Sequence, residues 1–180
     1  MKKLLLTCFL ALGIGANAQL NYNGDFEDSN EVANNYSGFT GFSVTAAAAC
    51  SGTYGGQLTV SATTASTGGW IETGALVPGT NGMKVNVTAK YKKTANVTGT
   101  LMLALFEEVA TNTWGYTAIT TIPLTAAAIT TCQTVTGVIP EGVLTSNKNW
   151  GIGFYFTRTG STVGSVYVDD IVFVQDPTTG

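Results

Sequence analysis

The chain has 180 residues, 11% of them charged and none of them histidine, and its 8 Lys and Arg against 11 Asp and Glu give a net charge of −3. Without histidine, ordinary Ser-His-Asp and Cys-His catalysis is excluded. Without a basic patch, nucleic acid and anionic membrane surfaces are poor partners.

The first segment, MKKLLLTCFLALGIGANAQ, has Lys2 and Lys3, an apolar run from Leu4 to Ile14 and the small-residue site Ala16-Asn17-Ala18. That is the anatomy of a secretory signal peptide, cleaved after Ala18. Cys8 goes with it, because Thr7 is a poor residue before a lipid-modified cysteine and the apolar run continues past it. Residues 19–175 then form one domain with a sizeable core. Taking Lys2 and Lys3 from the eight basic residues leaves six against eleven acidic ones, a net charge of −5. No later apolar stretch approaches the ~20 residues that span a bilayer, so the product is expected to be secreted or held at the cell surface, without membrane insertion.

The mature chain opens on LNYNGDFEDSNE, where strand alternation sends Phe26 toward the core and keeps Asp25 and Glu27 together on the other side. Strand candidates follow in GFSVTA near Phe42, GGQLTVSA near Leu58 and GGWIETGAL near Trp70. KVNVTAKYKK alternates cleanly, with Val85, Val87, Ala89 and Tyr91 opposed to Lys84, Asn86, Thr88, Lys90 and Lys92, so it has one wet side. TLMLALF from Thr100 is apolar on both faces, as in a strand covered from two sides. YTAITTIPL and TCQTVTGVI come next. WGIGFYF puts Trp150, Ile152, Phe154 and Phe156 on one side and Gly151, Gly153, Tyr155 and Thr157 on the other.

The last strand, VYVDDIVFV, carries Asp169 and Asp170 between apolar neighbours. Alternation aims one carboxylate inward or at a strand-end crevice, where an unpaired charge costs several kcal/mol. The tail DPTTG, residues 176–180, reads as a linker, since Pro177 and Gly180 stop the strand. Turn signals such as SGTYGG, STGG, VPGTNG and TNTWG separate nearly all these segments. Many short strands with no helical period specify an all-β fold, a two-sheet antiparallel β-sandwich of the jelly-roll type.

Two features carry chemistry. Cys50 and Cys132 are the only cysteines after the signal, and in an oxidising compartment they either form one disulfide or stay as two thiols, as their separation decides. If the acidic N-terminal strand lies beside the last one, four or more carboxylates converge. Oxygen ligands without His or Cys select a hard ion, calcium over magnesium. The alternative is a set of carboxylates solvated at a sheet edge.

NGDFED, SGTYGGQLTV, the YKK strand after LVPGTNGMKVNVTA, and VYVDDIVFV, in that order, resemble the carbohydrate-binding modules of families 4, 9 and 22 over about residues 20–175. These are jelly rolls of the galactose-binding-like group. The resemblance implies a structural calcium held by Glu27 and Asp170, with carbonyls near Asn23 and in residues 51–54, and Asp169 as the weaker of the two aspartates. It also implies a non-catalytic module, the kind of accessory a glycoside hydrolase carries. Its ligand would be a neutral polysaccharide of β-glucan or xylan type, stacked on aromatic rings of a concave sheet face.

For those rings the sequence favours Trp114 and Tyr116, since TNTWGYT looks like an exposed turn and loops carry binding residues. Trp150, beside Asn147, Lys148 and Asn149, comes next, whereas Trp70, Tyr91 and Tyr155 read as core. No carboxylate pair has glycosidase spacing by position, because Glu107-Glu108 and Asp169-Asp170 are neighbours that diverge on a strand; Glu72 and Glu141 are left open. The competing class is a structural or adhesive cell-surface β-sandwich without sugar binding. The sequence does not set whether the module is a monomer or an oligomer.

Overall fold

A computed structural model describes residues 24–27, 36–72, 82–144, 149–160 and 163–176. The predicted signal peptide, Asn23 and residues 177–180 lie outside them. The described chain forms β1 (Tyr36–Gly38), β2 (Phe42–Thr45), one 3-10 turn (Ala46–Ala48), β3 (Gly55–Val60), β4 (Ser66–Glu72) and β5 (Val85–Lys93). It continues through β6 (Gly99–Ala110), β7 (Thr113–Leu124), β8 (Ile129–Ile139), β9 (Trp150–Arg158) and β10 (Gly164–Gln175). No helix among the described residues is long and apolar enough to cross a membrane.

The strands make two five-stranded antiparallel sheets, ordered β1-β4-β9-β6-β7 and β2-β3-β10-β5-β8. Among the described connections only β2 to β3 and β6 to β7 stay within one sheet, so the chain winds across the sandwich as expected of a jelly roll. Alternation decides what each sheet gives the core. The first contributes Ile71, Leu101, Leu103, Leu105, Ile152, Phe154 and Phe156, and the second Leu58, Val87, Val166, Val168 and Phe173, all buried in one cluster. Each such side chain contributes about 1.5–3 kcal/mol by leaving water.

Two expectations are corrected at the termini. The acidic opening is not a strand: Phe26 sits at φ 55°, in the left-handed region, and is delivered to the core by a turn. It is 1% exposed and its ring lies 4.9 Å from that of Tyr36, while Asp25 and Glu27 are exposed. At the other end Asp176, expected as the first residue of a tail, is buried and pairs with Lys84 at 2.7 Å. The two ends of the described chain meet, since the Ile171 amide donates to the Gly24 carbonyl at 2.7 Å.

Candidate functional site

The residues that make TLMLALF apolar on both faces have two different covers. Leu101, Leu103 and Leu105 face the core, while Ala104 and Phe106 belong to a second cluster, with Trp70, on the outer face of the first sheet. Around that cluster pack Phe39, Met102, Trp114 and Tyr155, each partly buried. No third layer lies over it among the described residues; aromatic rings of the same chain form the cover.

Register explains how the rings come together. Trp70 on β4 pairs with Gly153 on β9, Gly153 with Ala104 on β6, and Phe106 on β6 with Gly151 on one side and Tyr116 on the other. A Cβ at Gly153 would stand 2.7 Å from Trp70 Cβ, and one at Gly151 would stand 2.6 Å from Trp70 Cδ1. Only glycine leaves room for the indole to lie down across β9. Trp70 stacks on Phe106 with centroids 4.6 Å apart, and Trp114 leans on Trp70 at 5.0 Å. Tyr116 and Tyr155 stack at 3.9 Å, and Phe39 meets the Tyr155 ring edge-on at 6.0 Å. Each such pair is worth about 1 kcal/mol beyond its buried area.

The shelf has a polar rim. A groove of about 320 Å³ between β1 and the β6–β7 turn is lined by Ser37, Gly38, Phe39, Trp70, Asn112 and Trp114. Glu108, opposite Trp114 in the ladder, accepts the Asn112 amide at 2.8 Å and the Asn149 side-chain amide at 2.7 Å. At the other end the Tyr155 hydroxyl donates to Ser66 Oγ at 2.9 Å. A hydrogen bond with Tyr155, together with burial, pushes the Tyr116 phenol up to about 12, so it is neutral at any ordinary pH. The Trp70 Nε1–H is shut from solvent and finds no acceptor among the described residues.

Of the predicted rings, the structure brings Trp114 and Tyr116 to this shelf, on β7 just past the turn, with Tyr116 43% exposed. Trp150 is a correction. It is 1% exposed, inside the sandwich and 5.5 Å from the Phe173 ring, because it shares the inward parity of Ile152, Phe154 and Phe156. Trp70 is buried as expected, at 3% exposed, but in the second cluster, where it backs the outer shelf; Tyr155, expected in the core, packs part-buried against that cluster, and Tyr91 packs against the main core as expected. The signal for both was the Gly-x-Gly-x-Tyr face of β9, a floor with one ring.

The acidic residues form a separate locus. Asp169 keeps strand pairing with Lys90, but the ladder slips between Asp169 and Val172, and Asp170 adopts φ 48°. That bulge removes Asp170 from the alternation, so Val168 and Ile171 both face the core and neither carboxylate enters it. Both instead reach Ser51. Asp169 Oδ2 accepts the amides of Cys50 at 2.6 Å and Ser51 at 3.1 Å, its Oδ1 accepts the Asp170 amide at 2.8 Å, and Asp170 Oδ1 accepts Ser51 Oγ at 2.6 Å. Asp170 Oδ2 lies 2.7 Å from Lys90 Nζ. Glu27 Oε1 accepts the Thr53 and Tyr54 amides at 2.8 and 3.1 Å, which hold its carboxyl below the ordinary range.

Glu27, Asp169 and Asp170 thus share one loop, residues 50–54, which offers them four amides. Asp169, expected as the weaker ligand of the pair, is the most deeply set, at 0% exposed. Among the described residues no group of three or more His, Cys, Asp or Glu is placed to hold a metal ion. The joint gathers three carboxylates around one loop with a single ion-paired lysine, Lys90 on Asp170, and Glu27 is its exposed member. Asn23 lies outside the described residues. Cys50, at the start of this loop, is joined to Cys132 on β8, with S–S 2.01 Å and Cα atoms 5.8 Å apart.

No family model and no curated protein matches the chain. Solved structures do. The tandem CBM22-1–CBM22-2 domain of Paenibacillus barcinonensis Xyn10C superposes with TM-score 0.59 at 15% identity, over 89% of this chain and 45% of that one. The chain thus spans less than half of that tandem. The single CBM22-1 xylan-binding domain of the same protein gives 0.56 at 15% identity, over 89% of this chain and 96% of that one. A family 61 module, TmCBM61, in complex with β-1,4-galactotriose, gives 0.55 at 13% identity, over 88% and 99%. The chain has the β-sandwich fold of these carbohydrate-binding modules.

Proposed function

We propose that the protein is an exported, non-catalytic carbohydrate-binding module whose aromatic shelf on the first sheet stacks a neutral β-linked polysaccharide. The observation that carries this is the shelf itself: an exposed ring surface of Trp114 and Tyr116, backed by buried Trp70 and Phe106, beside a groove edged by amide and hydroxyl groups. Apolar ring faces suit the C–H faces of a pyranose, and the rim supplies amide and hydroxyl groups for its hydroxyls, with the Glu108 carboxylate bonded to Asn112 and Asn149. The fold is that of modules described as xylan-binding or solved with a galactan oligosaccharide, which supports the same ligand class. The Cys50–Cys132 bridge supports an oxidising destination, secreted or on the cell surface.

Affinity electrophoresis in xylan, β-glucan and β-1,4-galactan gels tests the reading. The protein should be retarded by at least one, and Trp114→Ala should weaken that retention about 30-fold, as truncating a central aromatic anchor costs about 2 kcal/mol. Retention that survives Trp114→Ala and Tyr116→Ala moves the site elsewhere. No retention by any neutral glycan leaves the adhesive β-sandwich.

A structural calcium at the acidic joint is proposed alongside, held by Glu27 and Asp170, with the cation offsetting the carboxylate excess that Lys90 leaves. A ligand bound only by the folded state raises the melting temperature. Tm should therefore rise in millimolar calcium over chelator, and Glu27→Gln should abolish the difference. Equal Tm values would show that the loop amides and Lys90 neutralise the joint alone.

A further inference from the structure

Six lysines and arginines follow the predicted signal, and three of the lysines, Lys90, Lys92 and Lys93, stand on β5, with Lys84 just before it. Lys84 pairs with Asp176 and Lys90 with Asp170. Lys92 and Lys93, at the far end of the strand, form no ion pair with any described residue. Lys93 is 2% exposed, yet among the described residues its Nζ is met only by backbone carbonyls, those of Thr94 at 3.3 Å and of Ala127. Lys92 Nζ donates to the Ala49 carbonyl at 2.7 Å and lies 5.7 Å from the centre of the Tyr167 ring. An ammonium carries three donors, so each lysine keeps at least one beyond these bonds.

Both ammonium side chains line one cavity of about 390 Å³, together with Thr94 and Tyr167. A second cavity, of about 420 Å³, adjoins it along residues 128–130 and is lined by Tyr91, Thr131 and Gln133. The pair makes a continuous trough across the ends of β5, β8 and β10, on the second sheet and apart from the aromatic shelf. Among the described residues its lining is two rings, several hydroxyls, an amide and two cations, without carboxylates. In a molecule with a net charge of −3, a local cation pair of this kind has to be matched by an anion or left costly.

We propose that this trough is a second glycan site, for an acidic sugar: the carboxylate of a uronic acid residue lies between Lys92 and Lys93, with its ring and hydroxyls against Tyr167, Thr130 and Gln133. It goes beyond the neutral-glycan reading and uses none of the rings of the shelf. Binding is reversible and involves no covalent step.

Titration calorimetry with a tetragalacturonate, and with the same oligosaccharide after its carboxyls are reduced to alcohols, tests it. The uronate should bind at least tenfold more tightly than the reduced form, and its affinity should fall with added salt, since the contact is partly exposed. Lys92→Gln, a half-buried position whose variant should melt like the parent, is expected to weaken uronate binding about tenfold, the effect of one charge-assisted hydrogen bond. Trp114→Ala should lose neutral glycan and keep the uronate. Equal binding of the two oligosaccharides, no binding of either, or an unchanged affinity in Lys92→Gln overturns the proposal; loss of uronate binding in Trp114→Ala assigns it to the shelf instead.

Discussion

Replacing Cys50 and Cys132 together with serine is expected to lower stability by about 4 kcal/mol, and Tm by about 10 °C, while leaving the fold and glycan retention at 20 °C intact. The size follows from the separation of 82 residues that the bridge closes, because the cross-link removes most of the freedom of that loop in the unfolded chain. Both cysteines are half-buried and belong to the second sheet side, far in register from the shelf on β4, β6, β7 and β9. Serine leaves no large cavity there. Thermal melts of the double variant and of the parent with and without reductant measure the effect. A shift under about 2 °C would mean that the unfolded chain already holds residues near 50 and 132 together; a loss of glycan retention would mean that the bridge shapes the shelf.

The same bridge ties the loop at residues 50–54 to β8, and that loop receives Asp169, Asp170 and Glu27. The N-terminal turn, the last strand and an edge strand are therefore joined at one point by covalent, ionic and amide contacts. The resemblance implied that Glu27, Asp170 and residues 51–54 meet, but local alternation does not show the geometry of the joint. It arises because VYVDDIVFV is interrupted, and an interruption is visible only when the partner strand is known.

Strand positions were legible because alternation is a local property: TLMLALF and WGIGFYF fall within β6 and β9, and KVNVTAKYKK is β5 with Lys84 before it. β1, with three residues, carries too short a pattern to read. The shelf was half legible. Trp114 and Tyr116 follow from their place beside a turn, but the doubly apolar β6 signals only that both faces are covered, not that Trp70 and Tyr155 do the covering. Trp150 misleads through its polar neighbours, although the parity of WGIGFYF already groups it with buried Ile152 and Phe154. The two aspartates mislead differently. Period-two alternation sends them apart, and the left-handed conformation of Asp170 brings both to Ser51. Asp tolerates that conformation better than most residues, so the pair itself was the available clue.

Asp169→Ala is expected to destabilise the domain by about 3 kcal/mol, because it leaves the amides of Cys50, Ser51 and Asp170 without their acceptor in a place closed to water. Asp169→Asn should cost less, since its carbonyl can keep the first two amides while its NH2 faces the third. The pH response separates charge from hydrogen bonding. Burial raises the Asp169 carboxyl from 3.8 to about 6, against the opposing pull of the Cys50 and Ser51 amides. Between those values the folded protein holds a proton that the unfolded chain has released, so stability should rise as pH falls from about 7 to about 4, by on the order of 2–3 kcal/mol. Glu27 acts in the opposite sense and lower down: its depressed carboxyl loses its contribution only as pH falls below the ordinary carboxylate range. Denaturant midpoints of the parent and of Asp169→Asn, in chelator from pH 7 to pH 4, should diverge, with the parent gaining and the variant flat. Parallel profiles would mean that three amides hold Asp169 ionised throughout, and the joint would then be fixed by charge at every pH where the domain folds.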